Sequence, residues 1–317
     1  MGHARIGCDR RTDLRPDGAI GDDGLRRASR EGEPVTAISM IPPVSPTPQP
    51  AQGEGASRIL SGLLEARTGQ ILSEGRAWRM ETALRPVLRA HGLQNIDELA
   101  ASLSRKRDVR LERDVVNALL NNESSFFRDP QMFTMIQRQI LPRIQAERSD
   151  RVLRIWSAGC STGQEAYSLA IHLRKQADQW AGWRIEILAT DISTAAIDQA
   201  REGIFSQMDV QRGLPIGDLL AWFEPHGEDW RANAELRRMI DFRHDNLFDA
   251  KAPCGTYDLL LCRNVLLYFT PQRRQTVLHL LARHSHAHSA LLLGAGETVI
   301  GNGDDFIAHP EFRGAYA

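Results

Sequence analysis

The sequence predicts an α/β fold, a doubly wound, Rossmann-like parallel sheet preceded by a small all-helical unit. Three observations predict it. From residue 151 onward, short β-like runs alternate with helical patterns. The first run leads into a Gly-containing turn, Ser157-Ala158-Gly159-Cys160-Ser161-Thr162-Gly163, that opens a helix, and the second ends on an acidic residue, Asp191. Alternating strands and helices with short connections mean parallel strands covered on both faces. Right-handed crossovers then give a doubly wound sheet.

The elements follow in order along 317 residues. Residues 1–55 hold Gly, Pro and Asp clusters and the stretch Pro42-Pro43-Val44-Ser45-Pro46-Thr47-Pro48-Gln49-Pro50. They bury too little apolar surface to offset the entropy of ordering, so a disordered tail is expected. Met40 opens onto the proline-rich stretch and is a candidate start site, which the intact mass of the native protein would decide. Residues 56–120 show helical spacing: Ile59, Leu60, Leu63 and Leu64 form one stripe, and Met80, Leu84, Val87 and Leu88 another. Further stripes run over 96–103 and 111–120, with Gly69, Gly75 and Gly92 as punctuation. Residues 121–150 read as a linker. The sheet domain, 151–317, offers strands at Val152–Trp156, Ile185–Ala189, Ile240–Phe242, Tyr257–Cys262 and Ala290–Leu293. Its helices fall at 164–177, at 194–202 and after Pro271.

Composition narrows the function. Apolar residues make up 42% and charged residues 25%, with a net charge of −1, so no strong global field draws the chain to nucleic acid or to a membrane surface. No apolar run reaches the roughly 18–20 residues that cross a bilayer, and the N-terminus has no apolar stretch of signal-peptide type, so a cytoplasmic location is expected. The four cysteines form no CxxC pair, which fits a reducing compartment. Lysine occurs only at 106, 175 and 251; the arginine bias reads as base composition.

In a doubly wound sheet ligands bind at the carboxyl ends of the strands. Gly159 and Gly163 flank small residues, allowing close approach of ligand to backbone, and the next helix offers free N–H groups. The spacing is not GxGxxG, which weakens a dinucleotide reading, and by itself the segment also reads as a tight strand–helix turn. Asp191 can accept hydrogen bonds from both hydroxyls of a ribose or can simply cap a helix. Loop and Asp together favour an adenosine-bearing cofactor without choosing between NAD and S-adenosylmethionine.

Asn122-Glu123-Ser124-Ser125-Phe126-Phe127-Arg128 joins two aromatics to an Arg able to pair bidentately with a carboxylate; a linker with a packed Phe pair and a surface Arg is the bland reading. This segment resembles the N-E-T-x-F-F-R signature of the CheR-type protein-glutamate methyltransferases. Ile155–Tyr167 (IWSAGCSTGQEAY) resembles their first strand and cofactor loop, and Ala189–Ile192 (ATDI) and Cys262–Phe269 (CRNVLLYF) match two more of their motifs in the same order. The resemblance covers residues from about 57 to the end. It implies a class I methyltransferase sheet with a small inserted β subdomain. It implies S-adenosylmethionine as co-substrate, contacted by Asn122, Ser124, Arg128, Glu165, Asp191, Asn246, Leu247, Arg263 and Asn264. Ser124 departs from the family's usual Thr but keeps the hydroxyl. By the same resemblance Arg128 pairs with the methionine carboxylate, Asp191 with the ribose, Asn246-Leu247 border the adenine, and Tyr268 lies near the transferred methyl, making Tyr268 and Arg128 the catalytic candidates.

The implied reaction carries methyl to glutamates in the cytoplasmic helical domains of chemotaxis receptors, by an enzyme acting as a monomer. A glutamate acceptor, with a reference pKa near ~4.3, is already ionised at neutral pH and needs no general base. Rivals are a methyltransferase of small molecules or RNA, which has no use for Asn122–Arg128, an inactive docking relative, and a nicotinamide oxidoreductase. Trp78, Thr82, Arg85 and Arg89 share one helical face, open to receptor docking or to plain solvation. His284, His286 and His288, with no Cys or acidic residue near in sequence, predict an exposed turn and no metal site. The short stretch after Trp222-Phe223 predicts a reduced β subdomain and recognition independent of a receptor tether peptide.

Overall fold

The structure, a computed structural model, describes residues 53–72, 79–105, 107–248, 255–309 and 314–317. The expectations for residues 1–52, including Met40, and for Gly75 and Trp78 lie outside them. The helical region comprises α1 (Glu54–Thr68), α2 (Met80–Ala90), α3 (Ile96–Arg105) and α4 (Val109–Leu119). Each is short, so its stability rests on burying one apolar stripe. Leu60, Leu64, Leu84, Leu99 and Val115 are fully buried in one cluster. Ile59, expected in the α1 stripe, instead faces solvent at 46% exposure, one position around the helix from Leu60. Asp108 caps α4, its carboxylate accepting from the N–H groups of Arg110 and Leu111. Helix α1 ends at Gly69 with φ of 78°, a left-handed value that costs glycine little.

The stretch 121–150, expected as a linker, is helical over α5 (Pro130–Met135), a π-helical turn Ile136–Ile140 and α6 (Leu141–Glu147). Phe126, Met132, Phe133, Ile136, Ile140 and Ile144 join the apolar cluster that covers one face of the main sheet.

The sheet is built from β1 (Val152–Ala158), β2 (Arg184–Asp191), β6 (Ile240–His244), β7 (Leu259–Cys262), β8 (Ala290–Leu293) and β9 (Ala315–Tyr316). Helix α7 (Gln164–Lys175) connects β1 to β2, α8 (Thr194–Glu202) follows β2, and α12 (Pro271–Arg283) connects β7 to β8. The strand order is β6-β2-β1-β7-β8-β9, parallel throughout except for β9, which pairs antiparallel with β8. Successive side chains of a strand point to opposite faces. Accordingly Leu153 and Ile155 enter one cluster with Tyr167 and Phe205, and Trp156 and Ala158 the other with Leu260 and Leu281. Strand order reverses between β1 and β7, the switch point at which such sheets bind ligands.

Between α8 and β6 lies a separate three-stranded antiparallel sheet, β3 (Ile204–Phe205), β4 (Phe223–His226) and β5 (Asp229–Ala232), in the order β3-β5-β4. Short helices α9 (Gln207–Gln211) and α10 (Ile216–Trp222) precede β4, and α11 (Ala234–Arg238) follows β5. This is the inserted β subdomain expected from the resemblance, anchored through Phe205 and Phe223 packed edge-on against Phe126.

The histidine turn differs from expectation in its partners. His286 Nε2 lies 3.0 Å from the buried carboxylate of Asp258, and His288 Nδ1 lies 3.3 Å from Glu147. These acids are 28 residues or more away along the chain, so spacing could not reveal them. His284 packs edge-on against Trp156. Among the described residues, no group of His, Cys, Asp and Glu is placed to hold a metal ion, and no helix is long and apolar enough to cross a membrane.

Candidate active site

The turn after β1 turns sharply because Gly159 (φ 80°) and Ser161 (φ 53°) adopt left-handed backbone. At Gly159 a Cβ would lie 2.4 Å from Val265 Cγ2, so the loops after β1 and β7 meet only because that residue is glycine. The N–H groups of Gly159 and Cys160 bind the carbonyl of Thr190 at the end of β2. The turn is thereby fixed beside Asp191, whose Oδ2 accepts from the Ser161 N–H at 2.7 Å and Oδ1 from the Ser193 N–H at 2.8 Å.

Burial pushes the Asp191 carboxyl above the ordinary carboxylate range, and the N–H groups of Ser193, Ser161 and Ile192 partly offset this. Two backbone donors leave lone pairs on both oxygens for further hydroxyl donors. Burial likewise raises the thiols of Cys160, helped by Asp191 and Glu165, and of Cys262, helped by Glu297 and Glu165. Both are therefore thiols at neutral pH, which removes these two cysteines as candidate nucleophiles.

Asp191 opens into a cleft bounded by the loops after β1, β2 and β7. Of the residues expected at the site, Asn122, Asp191, Asn246, Leu247 and Tyr268 line it. Asn122 is held by the Ser161 hydroxyl, which donates to its carbonyl at 2.7 Å, while its own amide donates to Ser193 Oγ at 3.3 Å. Glu165 and Arg263 are paired at 2.9 Å, and Ser157 of β1 donates to the other Glu165 oxygen at 2.8 Å. The Arg263 side chain is 4% exposed, with Asp129 Oδ2 3.7 Å away, and its Nε is buried without a hydrogen-bond partner among the described residues. Asn264, at φ 58°, follows directly. Ser124, Arg128, Glu165, Arg263 and Asn264 do not line the cleft; Ser124 is half-buried, and Arg128 is exposed and without an ion pair among the described residues.

Several lining residues escaped the sequence reading. Thr68 and Gln70, at the end of α1, form one wall, secured by the Ile71 N–H to the Tyr268 carbonyl at 2.8 Å and by Gly69 packed under Phe248. Asn121 donates to the Tyr268 hydroxyl at 2.5 Å. Asn121 stands beside Asn122 in the chain, a hint available in sequence; the α1 wall left none.

These residues suit an adenosine-bearing amino acid. Asp191 offers a buried acceptor for ribose hydroxyls, and Leu247, Phe248 and Val265 offer apolar surface for a base. Arg263, paired with Glu165 and outside the cleft lining, keeps its buried Nε without a partner among the described residues, at a cost of about 1–3 kcal/mol.

Comparison with known proteins agrees with that chemistry. Residues 122–312 match the family described as CheR methyltransferase, SAM binding domain. The chain is 32% identical over 252 residues to a chemotaxis protein methyltransferase of Vibrio parahaemolyticus, covering 78% of this chain and 91% of that one. It is 32% identical over 248 residues to chemotaxis protein methyltransferase 1 of Vibrio cholerae, covering 77% and 89%. With chemotaxis protein methyltransferase 1 of Pseudomonas aeruginosa the identity is 30% over 240 residues, covering 74% and 87%.

Proposed function

Because the chain belongs to the CheR methyltransferase family, we propose that it esterifies glutamate side chains in the cytoplasmic helical domains of chemotaxis receptors. S-adenosylmethionine, its co-substrate, supplies the methyl group on a sulfonium. The observation that carries the reading is the placement of the Asn122–Arg128 segment: Asn122 forms part of the cleft wall, tied through Ser161 to the loop that holds Asp191.

The roles follow from what each residue offers. Asp191 accepts from the ribose hydroxyls, Asn246 and Leu247 border the adenine, and Arg128 and Arg263 provide cations for the methionine carboxylate. Tyr268, fixed by Asn121 at its hydroxyl and by Ile71 at its carbonyl, orients the acceptor. No base is assigned, since a glutamate acceptor is already ionised; the contribution of the chain is orientation and exclusion of water. The enzyme acts in the cytoplasm, and the exposed Thr82, Arg85 and Arg89 on α2 meet the acidic receptor helices.

Transfer of labelled methyl into purified receptor cytoplasmic domains tests the reading. The label should be released by mild base, as an ester is. Absence of label, or label that resists base, would overturn it.

A further inference from the structure

Glu297 lies in the turn after β8, outside the lining of the cleft, and only 9% of its surface is exposed. Its Oε2 accepts from the N–H of Asn264 at 2.6 Å and of Gly294 at 2.8 Å, and its Oε1 from the N–H of Leu267 at 3.2 Å. Two of these donors belong to the loop after β7 that carries Tyr268 into the cleft wall. Asn264 has the left-handed backbone (φ 58°) that a non-glycine residue keeps only when its surroundings enforce it. The turn Leu266–Tyr268 is a single 3-10 turn, and Leu267 at its centre is 44% exposed, so packing of that side chain does little to hold it. Gly294 completes the arrangement: a Cβ there would fall 2.8 Å from both Glu297 Oε2 and Asn264 Nδ2.

We propose that Glu297 is a positioning residue for methyl transfer, its carboxylate clasping the backbone at Asn264 and Leu267 so that the loop holds Tyr268 at the cleft wall and Asn264, an expected cofactor contact, behind it. The assignment rests on the reading of those two residues given above. Each carboxylate oxygen has a separate task. Oε2 fixes Asn264, on the cofactor side, and Oε1 fixes the turn that ends in Tyr268, on the acceptor side.

That division makes the test specific. In Glu297→Gln one oxygen can still accept from Asn264 and Gly294, while the amide group faces the Leu267 N–H and cannot accept from it. S-adenosylhomocysteine affinity should therefore stay within about twofold, while kcat for receptor methylation falls by about tenfold or more with little change in KM. Glu297→Ala removes all three acceptors and should also weaken S-adenosylhomocysteine binding by about tenfold or more. Combined with Tyr268→Phe, Glu297→Gln should be no slower than the slower single variant, because both act through one loop.

Wild-type kcat in Glu297→Gln, multiplying losses in the double variant, or unchanged S-adenosylhomocysteine affinity in Glu297→Ala would each overturn the proposal. Calorimetry on Glu297→Ala needs no acceptor. It decides the role of Glu297 toward Asn264 even if the wild-type enzyme places no methyl on receptor glutamates, so the two readings fail separately.

Discussion

At the scale of single residues, Asp191 and Arg128 carry opposite risks. Asp191 is a buried anion whose pKa is raised chiefly by desolvation, so it takes up a proton before ordinary carboxylates do as pH falls. On the proposed role, protonation removes acceptor capacity offered to ribose hydroxyls. Affinity for S-adenosylhomocysteine should therefore decline as pH falls through that raised value, and binding in that window should release a proton, as calorimetry in buffers of different ionisation enthalpy would show. Asp191→Asn should flatten the profile. The same shift acts in reverse on the ligand-free fold. A folded pKa above the unfolded one gives stability that is fully present below the unfolded pKa and is lost as pH rises through the folded one. Arg128 costs the free protein nothing, being exposed. If it grips the methionine carboxylate, Arg128→Ala should weaken cofactor binding by far more than about tenfold, which is ~1.4 kcal/mol; unchanged affinity would shift that role to Arg263. Among the described residues, four of the five non-glycine positions with positive φ (Phe127, Asp129, Ser161 and Asn264) lie in or beside the segments that build the site, each a local cost of about 1–2 kcal/mol.

Elements were more legible in the sequence than the contacts between them. Helices α7 and α8 and strands β1, β2, β7 and β8 announce themselves by periodicity and by the turn residues that bound them, and the structure places them where they were expected. Asp191 and the loop before α7 were legible because each follows directly on a strand whose end the sequence marks. Strand β3, two residues long, has too short a pattern to read. The Asn121–Tyr268 and Asn264–Glu297 bonds join residues 147 and 33 apart, and hydrogen bonds between loops leave no period. Helix α2 tests what an element presents outward. Its buried face is Met80, Leu84, Val87 and Leu88, leaving Arg85 and Arg89 exposed on the other. Reversing both charges should abolish methylation of receptor domains and spare cofactor affinity; equal activity would assign that face to solvent alone.

For the whole molecule, the cleft couples parts of the chain that periodicity treats as separate. Its walls draw on the end of α1, the segment before α5, the loops after β1 and β2, and the loop after β7. Heating should therefore give one transition among the described elements, and S-adenosylhomocysteine at ~100 times its Kd should add about 2.7 kcal/mol, roughly 4–5 °C in Tm at this size. Two transitions, with only one responding to ligand, would show that the helical region contributes nothing to the cleft. The junction of Ile71 with the Tyr268 carbonyl also bears on how the enzyme is made. A chain emerging from the ribosome finishes its first helices long before the loop after β7 that must meet them, so a fragment released early has Asp191 but only part of the wall around it. Ligand retention can thus serve as an assay of completed synthesis, separating finished molecules from truncated ones without any measurement of catalysis.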